Sequence, residues 1–432
     1  MAKSIVSIQH TDDFLGTPGN YTHEHVEKIK EMIRKIADDT RGGMQNIVHK
    51  GDVVFIKVNT VNTSPPENGF TTDPRMLEAL VELVKEQEPA KVQIGERCAL
   101  GQDTMKCFEV CGLKAVADRT GAELIALEKT EFEMHHMGRP CSFSDFPFPK
   151  VVKDADVYIG LPKMKVHIHT GLTNALKLQF GLCPDYKWMS ECHRDDIYQK
   201  ICNLTAAAKP DWFVVDSLWT CQGNGPFSPY PDDRITDWNT TYGGSDPVAI
   251  DTVAEMLMQW ENPGSLPATV LGAFDGLGTN NPDEIELKGV PVDSVSRKFK
   301  RQDTVLSGKF KNINIIVGSA CEPGCRVMIR MGLDAAYVNG VLDRLPCPVT
   351  IFVGKQFEPY VKNVEGPVII YGDCAKDIAP FYPNAYTWFP TPDYPSCVPM
   401  YSNIPGNGLG DIFERIIKDP TAPGGPVLEL NK

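Results

Sequence analysis

Short apolar runs alternate with longer amphipathic stretches through the first two-thirds of the chain. The runs at 53–58, 91–95, 124–127, 157–160 and 212–216 have strand length and are rich in Val, Ile and Leu. Between them, apolar residues at helical spacing predict helices over 74–84, 105–120, 195–208 and 246–260. Asp73-Pro74 and Asp246-Pro247 supply an N-cap and a first-turn proline to two of these. Residues 1–8 read as a first strand. Repeated strand–helix units with short apolar strands predict a mostly parallel, doubly wound sheet.

Periodicity weakens over 261–308, which is rich in Pro, Gly and Asp and reads as a crossover or linker. A second α/β unit then follows, with strands at 313–318, 349–354 and 367–372 and a helix around 326–331. The Pro- and aromatic-rich tail 381–405 reads as a return across the surface. The expected architecture is α/β with two domains, 1–260 and 309–432, each holding a mostly parallel doubly wound sheet. The site is expected in the crevice between them.

Polar residues recur where the predicted strands end: Lys57, Asn59 and Thr60, then Glu96 and Arg97, then 163–169, then 216–223. Parallel strands share one C-terminal edge, so these groups should converge on a crevice. The densest stretch is 161–177, which carries Lys163, Lys165, His167, His169 and Lys177 directly after an apolar strand. His193 follows sixteen residues after Lys177, so three of the nine histidines fall in one short region. Histidine is the usual general base and metal ligand near neutral pH. A lysine between apolar neighbours can bind phosphate, carry a covalent adduct or snorkel to solvent. His135 and His136 read as a surface loop, and His23 and His25 as exposed or structural residues at the start of a helix.

Composition narrows the partners. With 42% hydrophobic and 23% charged residues, the 432-residue chain is ordinary for a globular protein. A formal net charge of -13 argues against nucleic acid and anionic membranes and favours a small-molecule ligand. No targeting segment or membrane span is legible, so a cytoplasmic location is expected. Oligomeric state stays open, homo-oligomers included. Thirteen cysteines in a reducing compartment would stay free, which would suit an anaerobe. Cys321, Cys325, Cys374 and Cys397 follow strands of the second domain, and four convergent thiolates could hold an iron–sulfur cluster or zinc. Their spacing matches no standard cluster motif, and buried free thiols are the competing reading.

Several ordered motifs carry a family resemblance: Lys57-Val58-Asn59, Thr71-Thr72-Asp73-Pro74, Ile94-Gly95-Glu96, Leu161-Pro162-Lys163, Thr173-Asn174-Ala175-Leu176-Lys177, Phe180-Gly181 and 246–251. Together they resemble the domain-of-unknown-function 362 family over roughly residues 50–260. That family has no general assigned chemistry. Some members carry ferredoxin modules, whose closely spaced Cys-x-x-Cys runs are missing here.

More distantly, the order His167, Lys177, His193 resembles the lactate racemase family, which has similar length and two α/β domains. In that family a lysine carries a nickel-pincer nucleotide, a downstream histidine ligates the nickel, and an upstream histidine is the base. The resemblance therefore implies Lys177 as tether, His193 as metal ligand and His167 as base. His169 would be a second ligand candidate, and Lys163, Lys165, Thr173 and Asn174 would line the cofactor. Glu96 stands where the racemases have a second histidine, and Leu172 to Leu176 replace their glycine-rich approach.

The expected function is thus a metal- or nickel-pincer-dependent isomerase or oxidoreductase, racemase- or epimerase-like, acting on a small hydroxy acid or polyol. Proton removal by the base would be coupled to hydride transfer to the cofactor. Lys57, Asn59, Arg97 or Lys165 would hold the substrate. An iron–sulfur redox protein and a non-catalytic anion- or sugar-binding protein are the alternatives.

Overall fold

A computed structural model describes residues 3–99, 102–139, 141, 144–193, 196–306, 308–320, 324–357, 364–389 and 408–427. The chain divides into two compact units, 1–227 with 232–302, and 228–231 with 303–432. Both are α/β.

The first unit is built on an eight-stranded sheet. Its parallel core runs Trp212–Ser217, Val157–Gly160, Val53–Lys57, Lys91–Glu96, Glu123–Ala126. Side chains alternate between two buried faces, as strand geometry requires. Val54, Ile56, Val157, Ile159 and Val214 pack into one core with the helices His23–Arg41 and Pro74–Lys85. Phe55 and Tyr158 face a second core with the helix Ile197–Ala208, while Phe213 and Val215 face a third with Pro247–Leu257. Helices cover both faces, which makes the sheet doubly wound.

Two antiparallel pairings extend this core: Thr240–Gly244 beside Trp212–Ser217, and Ser4–His10 beside Thr240–Gly244. Ile285–Gly289 then pairs parallel with Ser4–His10 at the edge. Residues 261–302, read from sequence as linker, therefore belong to this unit and contribute that strand and the helix Pro267–Phe274. The edge strand escaped the pattern because Glu286, Lys288 and Gly289 interrupt its apolar residues.

One helix boundary also differs. The single helix expected over 105–120 is broken into Thr104–Val110 and Leu113–Thr120 by Gly112, whose φ of +82° is left-handed. Residues 171–173 form a short strand, and a 3-10 helix follows at Lys177–Leu182.

The second unit carries a five-stranded, all-parallel sheet in the order Ile313–Val317, Val349–Val353, Val368–Tyr371, Tyr386–Trp388, Gly425–Pro426. The helices Gly324–Val338 and Leu409–Lys418 complete it. Most of the tail expected over 381–405 lies outside the described residues. Among those described, no helix is long and apolar enough to cross a membrane.

Candidate functional site

The C-terminal ends of the parallel strands do gather the polar residues, and most of them meet as pairs. Lys57 Nζ donates to Glu96 Oε1 at 2.6 Å and to the Val58 carbonyl at 2.8 Å. Glu96 also accepts from the backbone N–H of Arg97 at 2.8 Å and of Thr60 at 3.1 Å. Burial pushes the Glu96 carboxyl up and the Lys57 amine down, each opposed by the other's charge. With its oxygens taken by three donors, the lysine among them, Glu96 supports the strand ends. Lys57 is likewise committed to Glu96 and the Val58 carbonyl.

Lys163 is fixed in the same manner. Its Nζ lies 2.9 Å from Asp216 Oδ2, and that oxygen also accepts from the Asp73 N–H at 2.7 Å. The side chain of Asp73 in turn caps its helix and pairs with Arg75. Lys165 donates to Asn59 Oδ1 at 2.9 Å and to the Phe70 carbonyl, which uses Asn59 as well. Burial, ahead of the neighbouring Lys177 and Lys163 charges, lowers the Lys165 amine to about 7.

Beyond this layer, Lys165–His167 and Gly171–Thr173 form a tight hairpin, with Lys165 opposite Thr173 and His167 opposite Gly171. Gly171 has φ +80°, the left-handed conformation a short reversal needs. At the tip, the N–H groups of His169 and Thr170 turn back on His167 Nδ1 at 3.1 and 3.2 Å. The next residues are anchored structurally: Asn174 Nδ2 on the Tyr242 hydroxyl at 3.0 Å, and the Ala175 N–H on Asp251 Oδ1 at 2.9 Å.

The imidazoles run in a chain. Ring centroids of His167 and His169 are 6.4 Å apart, and those of His169 and His193 are 6.2 Å apart. Lys177 Nζ sits 5.0 Å over the Phe180 ring, whose centroid is 5.0 Å from that of His193. Lys177 makes no hydrogen bond or ion pair among the described residues. Burial lowers its amine to about 8. Burial is also the leading cause holding all three imidazoles below their ordinary range, His169 at about 3, and the Lys177 charge comes second for each. Lys177 and His193, both half-buried, thus share one neighbourhood with the buried His167 and His169.

His193 and His167 have opposite ring polarities. His193 Nδ1 lies 2.7 Å from the Met189 carbonyl, so it carries the proton and leaves Nε2 as a bare lone pair. Met189 also meets Arg97, whose Nη1 is 3.6 Å from its sulfur. His167 Nδ1 receives two N–H groups and must be unprotonated, which puts its proton on Nε2. The upstream histidine expected to be a base is therefore built as a donor.

Several buried polar atoms here lack a hydrogen-bond partner among the described residues: Thr71 Oγ1, Arg97 Nε, His169 Nδ1, Thr173 Oγ1, Asn174 Oδ1 and Gln179 Nε2. Folded proteins rarely leave such groups unsatisfied, and their concentration marks a place for a ligand or ordered water.

Other candidates separate from this cluster. Among the described residues, three ligand-type side chains gather closely only at His23, Glu27 and Glu82, on the surface. Lys30 already fills that cluster, with its Nζ 3.2 Å from Glu82 Oε2 and an ion pair to Glu27. The three imidazoles therefore do not form a ready three-histidine metal site. His135 and His136 lie in a strand, Phe132–His136, paired with Asp145–Pro149, and not in a loop. Cys325 is buried at the start of its helix and Cys374 is exposed, while Cys321 and Cys397 lie outside the described residues.

Sequence reasoning missed Asp216 and Asp73 as partners of the lysines, Phe180 as the surface under Lys177, and Met189 as the group that orients His193. Asp216 could have been found, because it ends an apolar strand beside the Lys163 strand. The Met189 contact leaves no sequence signal.

Fold and candidate site together define an α/β protein with a half-buried lysine–imidazole cluster beside the C-terminal edge of a parallel sheet. Residues 54–255 match the family model for the domain of unknown function DUF362, which bears out that resemblance. A thylakoid-associated protein of Synechocystis sp. is 27% identical over 256 residues, covering 57% of this chain and 74% of the relative. Among solved structures, the lactate racemase apoprotein from Thermoanaerobacterium thermosaccharolyticum is similar at 11% identity, with a TM-score of 0.38, over 99% of this chain and 93% of that one. A Thermotoga maritima protein is similar at 11% identity and a TM-score of 0.36, over 87% of this chain and 93% of the other.

Proposed function

We propose that the N-terminal unit is a racemase- or epimerase-like enzyme acting on a small hydroxy acid, with a metal or nickel-pincer cofactor held by Lys177 and His193. One observation carries the reading. A lysine amine with no hydrogen bond or ion pair among the described residues, lowered to about 8, lies in the same half-buried cluster as an imidazole whose Nε2 is left free to bind.

These two residues fit such a group. A tether needs an amine not already spent on an ion pair, and Lys177 has none among the described residues. A metal ligand needs a neutral imidazole whose other nitrogen is fixed by a carbonyl, as Met189 fixes His193. When bound, the cofactor would supply a hydride acceptor for the substrate's α-carbon.

The chain's own groups divide the remaining work. His169 is neutral and its buried Nδ1 has no hydrogen-bond partner among the described residues, which makes it the better candidate than His167 to take the hydroxyl proton. Its low basicity means that the proton would be held only briefly. Arg97, with an unpartnered Nε, is the remaining candidate to orient a carboxylate. The same excess of buried cations also suits an anion-binding protein without turnover, and the test below separates the two.

Protein purified without oxygen would be assayed for metal and intact mass, then incubated with single enantiomers of lactate and larger 2-hydroxy acids. Chiral chromatography should show racemisation by the wild type. Lys177→Met and His193→Ala should lose about two to four orders of magnitude of rate, the scale of losing one catalytic group. Unmodified mass, no metal and no conversion would overturn the enzymatic reading; binding without conversion would favour the anion-binding one.

A further inference from the structure

We infer that His167 is a fixed hydrogen-bond donor whose Nε2–H binds an anionic oxygen of the ligand, a carboxylate or alkoxide. The inference rests on the hydroxy-acid reading above and assigns one atom of the site to one atom of the substrate.

The geometry is set by backbone. The His169 and Thr170 N–H groups both reach His167 Nδ1, at 3.1 and 3.2 Å. Two donors can face one ring nitrogen only if it carries a lone pair, so the ring proton must be on Nε2. An imidazolium would set a third N–H against those two. The amides cannot easily turn away, because the hairpin is closed at Gly171 in a left-handed conformation with φ +80°. A Cβ there would also come within 2.8 Å of the Leu266 side chain. The tautomer is thus built into the turn.

His167 Nε2 has no hydrogen-bond partner among the described residues, although the side chain is buried. Its strongest charged neighbours are cationic: Lys177 first, with Lys165 weaker. A neutral donor flanked by ammonium groups suits an anionic oxygen and disfavours a cationic or purely apolar ligand. His193 has the reverse polarity, with its lone pair on Nε2.

The test uses protein labelled with 15N-histidine and long-range 1H–15N correlation spectra, recorded with and without L-lactate. His167 should appear as a neutral ring protonated at Nε2, and that N–H resonance should move as lactate is added. Loss of a hydrogen bond to an anion should make His167→Ala bind lactate about ten- to a hundredfold more weakly, while His167→Gln, which retains an N–H donor, should lose less than about fivefold. A ring protonated at Nδ1, or at both nitrogens, would overturn the inference. So would an Nε2–H resonance that lactate leaves unmoved. Lactate bound with the expected signature but never racemised would sink the enzymatic reading alone.

Discussion

Lys57 Nζ lies 2.6 Å from Glu96 Oε1 with both side chains sealed from solvent, at the ends of two neighbouring parallel strands. Removing either partner leaves a buried charge uncompensated, which typically costs about 3–5 kcal/mol. Glu96→Gln and Lys57→Met should each lower unfolding stability by that amount in urea titrations. The double variant should lose less than the sum, because the two residues are directly coupled. A single-variant loss below about 1 kcal/mol would mean the pair is solvated in solution.

Gly181 is the residue that lets the 3-10 helix of Lys177 approach this pair. A Cβ at Gly181 would fall 1.8 Å from Glu96 Oε1 and 2.5 Å from Lys57 Nζ. Neither atom has free space to retreat into without breaking its hydrogen bonds. Gly181→Ala should therefore destabilise by about 1–3 kcal/mol, the usual cost of overpacking. It should also blunt ligand binding at Lys177. An alanine variant as stable as the wild type would show that the helix does not press on the ion pair.

Lys177 gives the fold a specific pH dependence. Its amine is held at about 8 in the folded chain, against 10.5 for the ordinary side chain. Between those values the unfolded chain binds the proton more readily, so stability rises with pH across the window and is lost as pH falls through it. Lys177→Met removes this term. The variant's stability relative to wild type should be greatest near pH 7 and shrink toward pH 10.5. A gap that widens with pH would contradict the burial of this amine.

Thiol reactivity reports the packing around the same helix. Cys183 and Cys192 touch with their sulfurs 3.7 Å apart, and both are buried, as are Cys98, Cys111 and Cys202. Burial pushes Cys111 and Cys202 to about 12, where little thiolate exists at neutral pH. In a timed alkylation read by peptide mass, exposed Cys374 should label well before these five. Early labelling of Cys192 would mean that the helix Tyr186–Cys192, which orients His193, opens readily in solution.

The parts of the fold legible in the sequence are those where burial alone dictates the residue types. Val53–Lys57 and Val157–Gly160 read clearly because both faces of each strand are covered, so apolar residues run without interruption. Thr240–Gly244 and Ile285–Gly289 did not, since their strand character comes from pairing with Ser4–His10 and not from their own composition.

The site divides in the same way. The rule that parallel strands deliver polar residues at one edge holds for Lys57, Glu96, Lys163 and Lys165, which arrive there. Which of them are spent on one another did not follow, because Lys57–Glu96 and Lys163–Asp216 are tertiary pairings. The ring polarities were also hidden. They depend on the His169 and Thr170 amides and the Met189 carbonyl, and backbone groups are the same at every position.

Calorimetric titration of L-lactate into wild type whose intact mass shows Lys177 unmodified, and into Lys177→Met, at pH 7 and pH 9, tests most directly whether the free Lys177 amine and the imidazoles form one ligand site. Wild type should bind at pH 7 and more weakly at pH 9, where an amine near 8 has lost most of its charge. The variant should bind weakly at both values. Equal affinity for the two proteins, or tighter wild-type binding at pH 9, would contradict the assignment of Lys177 to the ligand.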